Sequence, residues 1–230
     1  MEKSEQGQDT EGGRYERLRT EVENAGATLV VVSKTRRPEE LMPLYAKGQR
    51  IFAENRVQEL LEKRAAMPEE VEWHVIGHLQ TNKVKAIAPF VAMIQSVDSV
   101  RLLEEINLQA IRCGRTIPVL LQVFIAAEET KFGMQEEELF RLLGQQEVWG
   151  MQGIDIRGLM GMATQTEDRE QVRTEFGRLR GIFDRLKGDP RYRAGGGKFQ
   201  ICSMGMSQDY QLALQEGSTM VRIGSLLFGR

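Results

Sequence analysis

The chain has 230 residues, 41% of them hydrophobic and 28% charged, which is enough apolar material for one substantial core of the size of an α/β barrel. Its 31 basic and 33 acidic residues give a formal net charge of -2 and are mixed along the sequence, so the composition favours neither a nucleic-acid partner nor an anionic membrane. Cys113 and Cys202 lie outside any C-x-x-C pattern, which argues against a structural zinc site or a disulfide framework and suits a reducing compartment. The N-terminus lacks the apolar core of a signal peptide, and we therefore expect a cytoplasmic protein.

Residues 1–13, MEKSEQGQDTEGG, are polar, acidic and rich in glycine. Such a segment cannot bury enough apolar surface to offset the entropy lost on ordering, and it is predicted to be a disordered lead-in. Regular structure is expected to begin near Tyr15. The rest of the chain, residues 14–230, is predicted to form a single domain.

Strand-like and helix-like segments alternate from there to the end of the chain. Typical end signals bound two of the helical segments: Pro38 and Gly48 flank one, and Ser99 and Gly114 flank the other. The alternation requires crossover connections and hence a parallel sheet, and eight β/α units predict an α/β fold of the closed (β/α)8 TIM-barrel type. An open doubly wound sheet is the alternative. The predicted strands are 28–34, 50–55, 72–77, 92–98, 117–125, 154–163, 199–205 and 219–229, and further helices are predicted near 57–66, 81–88, 135–146, 167–187 and 208–215.

Polar side chains recur where the predicted strands end. In a (β/α)8 barrel the loops that follow the strands converge at one mouth, so chemistry is expected at this edge. A single polar strand end would mean little, but a repeated pattern at one edge predicts a site. The residues concerned are Lys34, Glu54, Asn55, His78, Asp98 and Ser203, with Arg222 inside the last strand.

Lys34 ends the apolar run TLVVVSK and has two interpretations. It is either an ordinary strand-end lysine that reaches into solvent, as most lysines do, or a reactive amine. In the second case partial desolvation in the barrel mouth would lower its pKa and leave enough free base to attack a carbonyl group.

The segment VRIGSLLFG joins a buried arginine to glycines near the end of the chain. Backbone N–H groups of Gly224 and Ser225 could hold a phosphate while Arg222 supplies charge, because the loops after strands 7 and 8 often form the phosphate site of a barrel. The alternative is that Arg222 pairs with a carboxylate and the glycines only permit close packing. SMGMS, with Ser203 and Ser207, is either a second set of hydroxyl donors or a small-residue helix cap.

Two other motifs are not assigned a ligand. The triplet GGG at 195–197 precedes a strand, whereas a phosphate cradle follows a strand and opens a helix, so a mobile loop is predicted there. His74 and His78 are spaced by four residues in a strand-to-loop segment, which does not put them on one helical face, and no metal site is predicted.

Taken together, the motifs resemble the pyridoxal phosphate (PLP) homeostasis family of the YggS/PROSC type, a relative of the N-terminal barrel of alanine racemase. The match runs from about residue 30 to the C-terminus in the family's order. Ala53 departs from the usual glycine before EN, and Phe124 replaces the asparagine of a QVN motif. The matching segments are VVVSKT, FAENRVQE, WHVIGHLQTNK, QSVDS, KFG, RGLMGMA, CSMGMSQDYQLAL and GSTMVRIGSLLFG.

The resemblance implies a set of cofactor-binding residues. Lys34 would form the internal aldimine with PLP, and Arg222 would face the pyridine nitrogen. Ser203, Gly224 and Ser225 look like phosphate contacts, while Asn55, Met204 and His78 look like residues that line the cofactor. No residue is assigned a catalytic role.

The function implied is PLP homeostasis: a protein that holds PLP as a lysine aldimine and buffers or delivers it, with apo PLP-dependent enzymes as partners. An arginine opposite the pyridine nitrogen weakens the ring as an electron sink, and the chain ends just after the phosphate motif, where racemases continue into a β-domain. The alternative is a PLP-dependent, racemase-like enzyme, and a phosphosugar-binding barrel is a more distant one. A monomer is expected.

Overall fold

The computed structural model describes residues 11–128, 132–190 and 198–229. Within these ranges eight parallel strands form a closed barrel in chain order, and β8 pairs with β1 to complete it. The (β/α)8 prediction is therefore confirmed, and the open-sheet alternative is wrong. The strands are β1 (Thr28–Val32), β2 (Ile51–Glu54), β3 (Glu72–Val75), β4 (Met93–Val97), β5 (Ile117–Val123), β6 (Ile154–Gly161), β7 (Ile201–Ser203) and β8 (Met220–Ile223).

Helices precede β1 and follow every strand, and local signals in the sequence set several of their ends. Pro38 lies in the first turn of α2, and the Ser99 hydroxyl accepts a hydrogen bond from the backbone N–H of Leu102 at the start of α5. Among the described residues no helix has the length and apolar character needed to cross a membrane. The helices are α1 (Glu11–Asn24), α2 (Pro38–Ala46), α3 (Val57–Ala66), α4 (Thr81–Ile87), α5 (Val100–Arg112), α6 (Glu136–Leu143), α7 (Gln146–Trp149), α8 (Arg169–Gly188), α9 (Tyr210–Gln215) and α10 (Ser225–Phe228).

The structure differs from the sequence-based element assignment in three places. α1 begins at Glu11, inside the segment predicted to be disordered, and buries Tyr15 against the barrel. The segment 135–146 is divided between α6 and α7, and the last predicted strand ends at Ile223 because Ser225–Phe228 turns into a helix that buries Leu227. Lys131 and residues 191–197, which include the GGG triplet, lie outside the described residues.

The core has two parts, separated by the barrel wall. Outward-facing strand residues such as Val31 and Phe52 pack with the helices into one large cluster, whereas Val30, Ala53 and Met220 pack inside the barrel. The second apolar group inside the barrel consists of Met93, Leu120 and Met160. Polar side chains share this interior and are fully or almost fully buried there: His74, Gln95, Ser203 and Arg222.

Gly158 is the glycine with the tightest surroundings in the barrel wall. Its φ is +153°, and a Cβ atom at this position would lie 1.8 Å from the carbonyl oxygen of Ile201 on β7. We expect Gly158→Ala to destabilise the protein by about 1–3 kcal/mol in urea unfolding, because β6 and β7 would have to separate.

The matched control is Gly181→Ala in the middle of α8, where nothing lies within 4 Å of the added Cβ. This change should stabilise the protein by about 0.5–1 kcal/mol, because alanine favours the helix. Equal effects of the two substitutions would contradict the close β6–β7 contact.

Candidate functional site

Lys34 lies two residues beyond the end of β1, at the mouth where the carboxyl ends of the strands meet. Its side chain is exposed. In the described part of the chain no hydrogen bond or ion pair to its ammonium group is found. The structure is thus compatible with both interpretations of Lys34, and it leaves the amine available to a ligand.

Arg222 lies inside the barrel and is 3% exposed. Its Nη1 donates to Ser203 Oγ at 2.6 Å, and its Nη2 donates to the carbonyl oxygen of Gly161 at 2.9 Å. Burial lowers the pKa of Arg222 to about 10, an effect that the more distant charge of Asp209 partly offsets. The alternative in which Arg222 pairs directly with a carboxylate is not found among the described residues.

A chain of hydrogen bonds connects Arg222 to a buried histidine. Ser203 Oγ donates to Gln95 Oε1 at 2.7 Å, and Gln95 Nε2 lies 2.9 Å from His74 Nδ1. Because the Gln95 amide nitrogen can only donate, His74 Nδ1 must be the acceptor, which requires the neutral imidazole. Burial lowers the pKa of His74 to about 3, which keeps the ring neutral. All donors therefore point away from the guanidinium.

The loops after β7 and β8 meet at the end of β1. The backbone N–H groups of Gly224 and Leu226 each lie 3.3 Å from Ser207 Oγ, so this hydroxyl caps the turn that opens α10. A Cβ atom on Gly224 would lie 2.8 Å from the carbonyl oxygen of Val32, so the glycine is required for close packing of the two chain segments. Ser225 is exposed beside it.

The other predicted residues are placed around this centre in different ways. Asn55 is exposed, and its carbonyl oxygen would lie 2.4 Å from a Cβ on Gly77. Exposed His78 bonds Asp98 through Nδ1 and Oδ2 at 2.7 Å, and its ring stacks on Phe132 with centroids 4.3 Å apart. His74 and His78 thus lie in separate environments.

Three residues of interest have fully buried side chains. Met204 is fully buried in the large cluster between the strands and the helices, so its predicted contact with a cofactor stays a prediction. Ser203 is also fully buried, with its hydroxyl engaged by Arg222, and its predicted phosphate contact likewise stays a prediction. The methyl group of Ala53 packs inside the barrel against Val30 and Met220.

Sequence reasoning missed the role of His74 and Gln95. Both stand at inward-facing positions of otherwise apolar runs, EWHVIG and AMIQSVD. A polar side chain at a buried strand position needs a hydrogen-bond partner. This rule could have identified His74 and Gln95, on neighbouring strands, as partners of each other.

The match to known proteins agrees with this geometry. The family model described as alanine racemase, N-terminal domain, matches residues 13–230. The pyridoxal phosphate homeostasis protein of Aquifex aeolicus is 39% identical over 220 residues, which are 93% of this chain and 93% of that protein. The chain belongs to the pyridoxal phosphate homeostasis protein family. The family member from Mus musculus is 37% identical over 217 residues and is covered over 76% of its length.

Solved structures give the same relationship. PipY from Synechococcus elongatus, a structure without PLP, superposes with a TM-score of 0.86 at 31% identity, over 96% of this chain and all (100%) of that one. The structure of PipY with PLP bound gives a TM-score of 0.82. An alanine racemase from Bartonella henselae, at 18% identity and a TM-score of 0.70 over 58% of its chain, shows only that the barrel fold is shared.

The buried imidazole makes the stability of this family member depend on pH. Because the pKa of His74 is lowered to about 3 in the folded state and is about 6.5 in an unfolded chain, its contribution is fully present above pH 6.5 and is lost as pH falls toward 3. Between pH 7 and pH 5 the expected loss is about 2 kcal/mol. In His74→Gln the decrease in the free energy of unfolding over this interval should be smaller by that amount.

Urea unfolding at the two pH values measures the difference. The matched control is His78→Gln, which removes the other of the two histidines and keeps the buried one. An unchanged pH dependence in His74→Gln would show that the buried ring does not cause it.

Proposed function

We propose that this protein binds PLP at the barrel mouth through a Schiff base between Lys34 and the PLP aldehyde, and that it buffers or delivers the cofactor. The observation that carries the proposal is the buried guanidinium of Arg222. It has no carboxylate partner among the described residues, and it lies inside the barrel on β8, the strand that pairs with the strand leading to Lys34. A buried cation with no directly paired counter-charge is costly to desolvate, and each further hydrogen-bond acceptor beside it lowers that cost.

The functional groups of the proposed residues match those of PLP. The cofactor combines an anionic phosphate, a pyridine nitrogen with a lone pair and an aldehyde. Arg222 would donate to the pyridine nitrogen, and the backbone of Gly224 with exposed Ser225 would receive the phosphate beside the end of β1. Asn55, His78, Ser203 and Met204 complete the proposed set.

Arginine at this position favours holding PLP over using it in catalysis. Its guanidinium stays protonated, because even the lowered pKa is about 10, so it remains a donor and disfavours a proton on the pyridine nitrogen. PLP supplies an electron sink for amino-acid chemistry, and an unprotonated ring is a weaker one.

The covalent step suits a reversible carrier. With PLP bound, the Lys34 side chain would supply the amine for condensation with the aldehyde, which releases one water molecule, and hydrolysis by a water molecule would release PLP again. The aldehyde is thereby kept from reacting with other amines. We propose that the protein acts as a monomer and that apo PLP-dependent enzymes receive the cofactor from it.

The wild-type protein mixed with PLP should develop the absorbance of a Schiff base, and borohydride should fix the cofactor on Lys34. Peptide mass spectrometry locates the modified residue. Lys34→Ala should lose the absorbance band, because it lacks the amine, whereas Lys85→Ala, which removes an exposed lysine of α4, should keep it. Adducts spread over several lysines without a preference for Lys34 would contradict the proposal.

A second arm tests the arginine. Arg222→Met should weaken PLP binding by about ten- to a hundredfold, the loss expected for one or two hydrogen bonds from a charged donor. The matched control is Arg157→Met on β6, where the guanidinium pairs with Asp155 outside the proposed site. Equal PLP affinity in Arg222→Met and the wild type would remove the basis of the proposal.

A racemase-like activity is the second candidate, and the His78–Asp98 pair at the mouth is the observation that favours it. A hydrogen-bonded imidazole and carboxylate are the kind of groups that move a proton at an α-carbon. The two candidates differ in deuterated water: the carrier leaves the α-proton of single amino acids unexchanged and passes PLP to an apo-enzyme faster than PLP dissociates spontaneously. Exchange with turnover, abolished by His78→Gln, would establish the enzyme instead.

A further inference from the structure

The peptide groups on both sides of Lys34 are held by side chains from elsewhere in the fold. The carbonyl oxygen of Ser33 accepts a hydrogen bond from Lys63 Nζ at 2.7 Å, and Ser33 Oγ donates to Glu54 Oε1 at 2.6 Å. On the other side, the backbone N–H of Thr35 donates to Glu59 Oε2 at 2.8 Å. Glu59 and Lys63 belong to α3, so side chains of this one helix hydrogen-bond to the backbone immediately before and after Lys34.

The backbone conformation of Thr35 indicates that these hydrogen bonds determine the local structure. Its φ is +64°, and among the described residues it is the only one other than glycine with a positive φ. A β-branched residue in the left-handed region is strained and persists only where surrounding contacts enforce it. The hydrogen bond from Thr35 to Glu59 is such a contact. The turn that it enforces leaves the side chain of Lys34 exposed at the mouth.

The charges behind this turn are buried. Lys63 and Glu54 form an ion pair with side-chain exposures of 5% and 0%, and Lys63 Nζ lies 3.6 Å from Glu59 Oε2. Burial raises the pKa of Glu54, against the opposing effect of Lys63 and Ser33. Apolar residues usually stabilise such a position as well as an ion pair does. An apolar side chain could not donate a hydrogen bond to the Ser33 carbonyl oxygen, whereas the buried ammonium group of Lys63 does.

We propose that Glu59 and Lys63 are positioning residues that hold Lys34 in the orientation needed for bond formation with the PLP aldehyde. This inference rests on the proposed function. The two residues act through the peptide groups flanking Lys34 and do not touch the cofactor. They therefore affect the covalent step and leave the binding of the phosphate and the ring unaffected.

The test compares PLP with 4′-deoxypyridoxine 5′-phosphate, a probe that has a methyl group where PLP has the aldehyde and cannot form a Schiff base. In Glu59→Ala and Lys63→Met of the full-length protein, PLP affinity should fall about tenfold, while affinity for the probe stays within about twofold of the wild type. The matched control is Glu62→Ala, which removes an exposed carboxylate from the same helix and should change neither affinity.

Rescue provides a second readout. Thr35→Gly adopts a positive φ without strain, so Glu59→Ala combined with Thr35→Gly should recover much of the lost PLP affinity. If Lys63→Met does not fold, the two Glu59→Ala proteins carry the test. Wild-type affinity for PLP in Glu59→Ala, or an equal loss for PLP and the probe, overturns the positioning role. Failure of the proposed function is seen separately, as a wild-type protein that forms no adduct on Lys34.

Discussion

The guanidinium of Arg222 is buried in the barrel, and its partners among the described residues are neutral oxygens of Ser203 and Gly161. Hydrogen bonds to neutral groups satisfy its donors but do not cancel its charge. The neighbouring side chains are arranged to accept its hydrogen bonds. Ser203 accepts from Arg222 and donates to Gln95, and Gln95 donates to His74, whose imidazole is kept neutral by burial. The guanidinium therefore keeps its charge and can donate to a further acceptor.

Barrel closure brings this charge and Lys34 to the same end of the molecule. β8 carries Arg222 and pairs with β1, whose last residues lead to Lys34. Gly224 lets the end of β8 approach Val32 closely enough for the two loops to share one edge. The chain belongs to the pyridoxal phosphate homeostasis protein family, and this edge of the barrel is where we propose that PLP is held.

The structure contains two buried polar networks within the described residues, one inside the barrel and one between the barrel wall and α3. The network of Arg222 fixes charge inside the barrel, whereas the network of Lys63, Glu54 and Glu59 lies behind the wall and fixes the backbone around Lys34. The first joins residues far apart in sequence, whereas the second joins close neighbours in sequence and reaches back to Ser33 and Thr35. Such networks cost desolvation free energy, which their internal hydrogen bonds and ion pair offset in part.

The sequence by itself determined the order of the eight strands and of most of the helices between them, because a strand or a helix end is specified by neighbours a few residues away. The β-branched run before Lys34, Pro38 in the first turn of α2 and Ser99 at the start of α5 are local signals of this kind, and the structure has the strands and helices where they predict them. The glycine-bearing motif around Arg222 likewise identified an inward-facing charge. Only the tertiary structure decided which polar groups meet: Ser203 and Gln95 are 108 residues apart, and Lys63 reaches Ser33 across 30 residues. Closing the barrel creates these contacts, and a linear pattern does not record them.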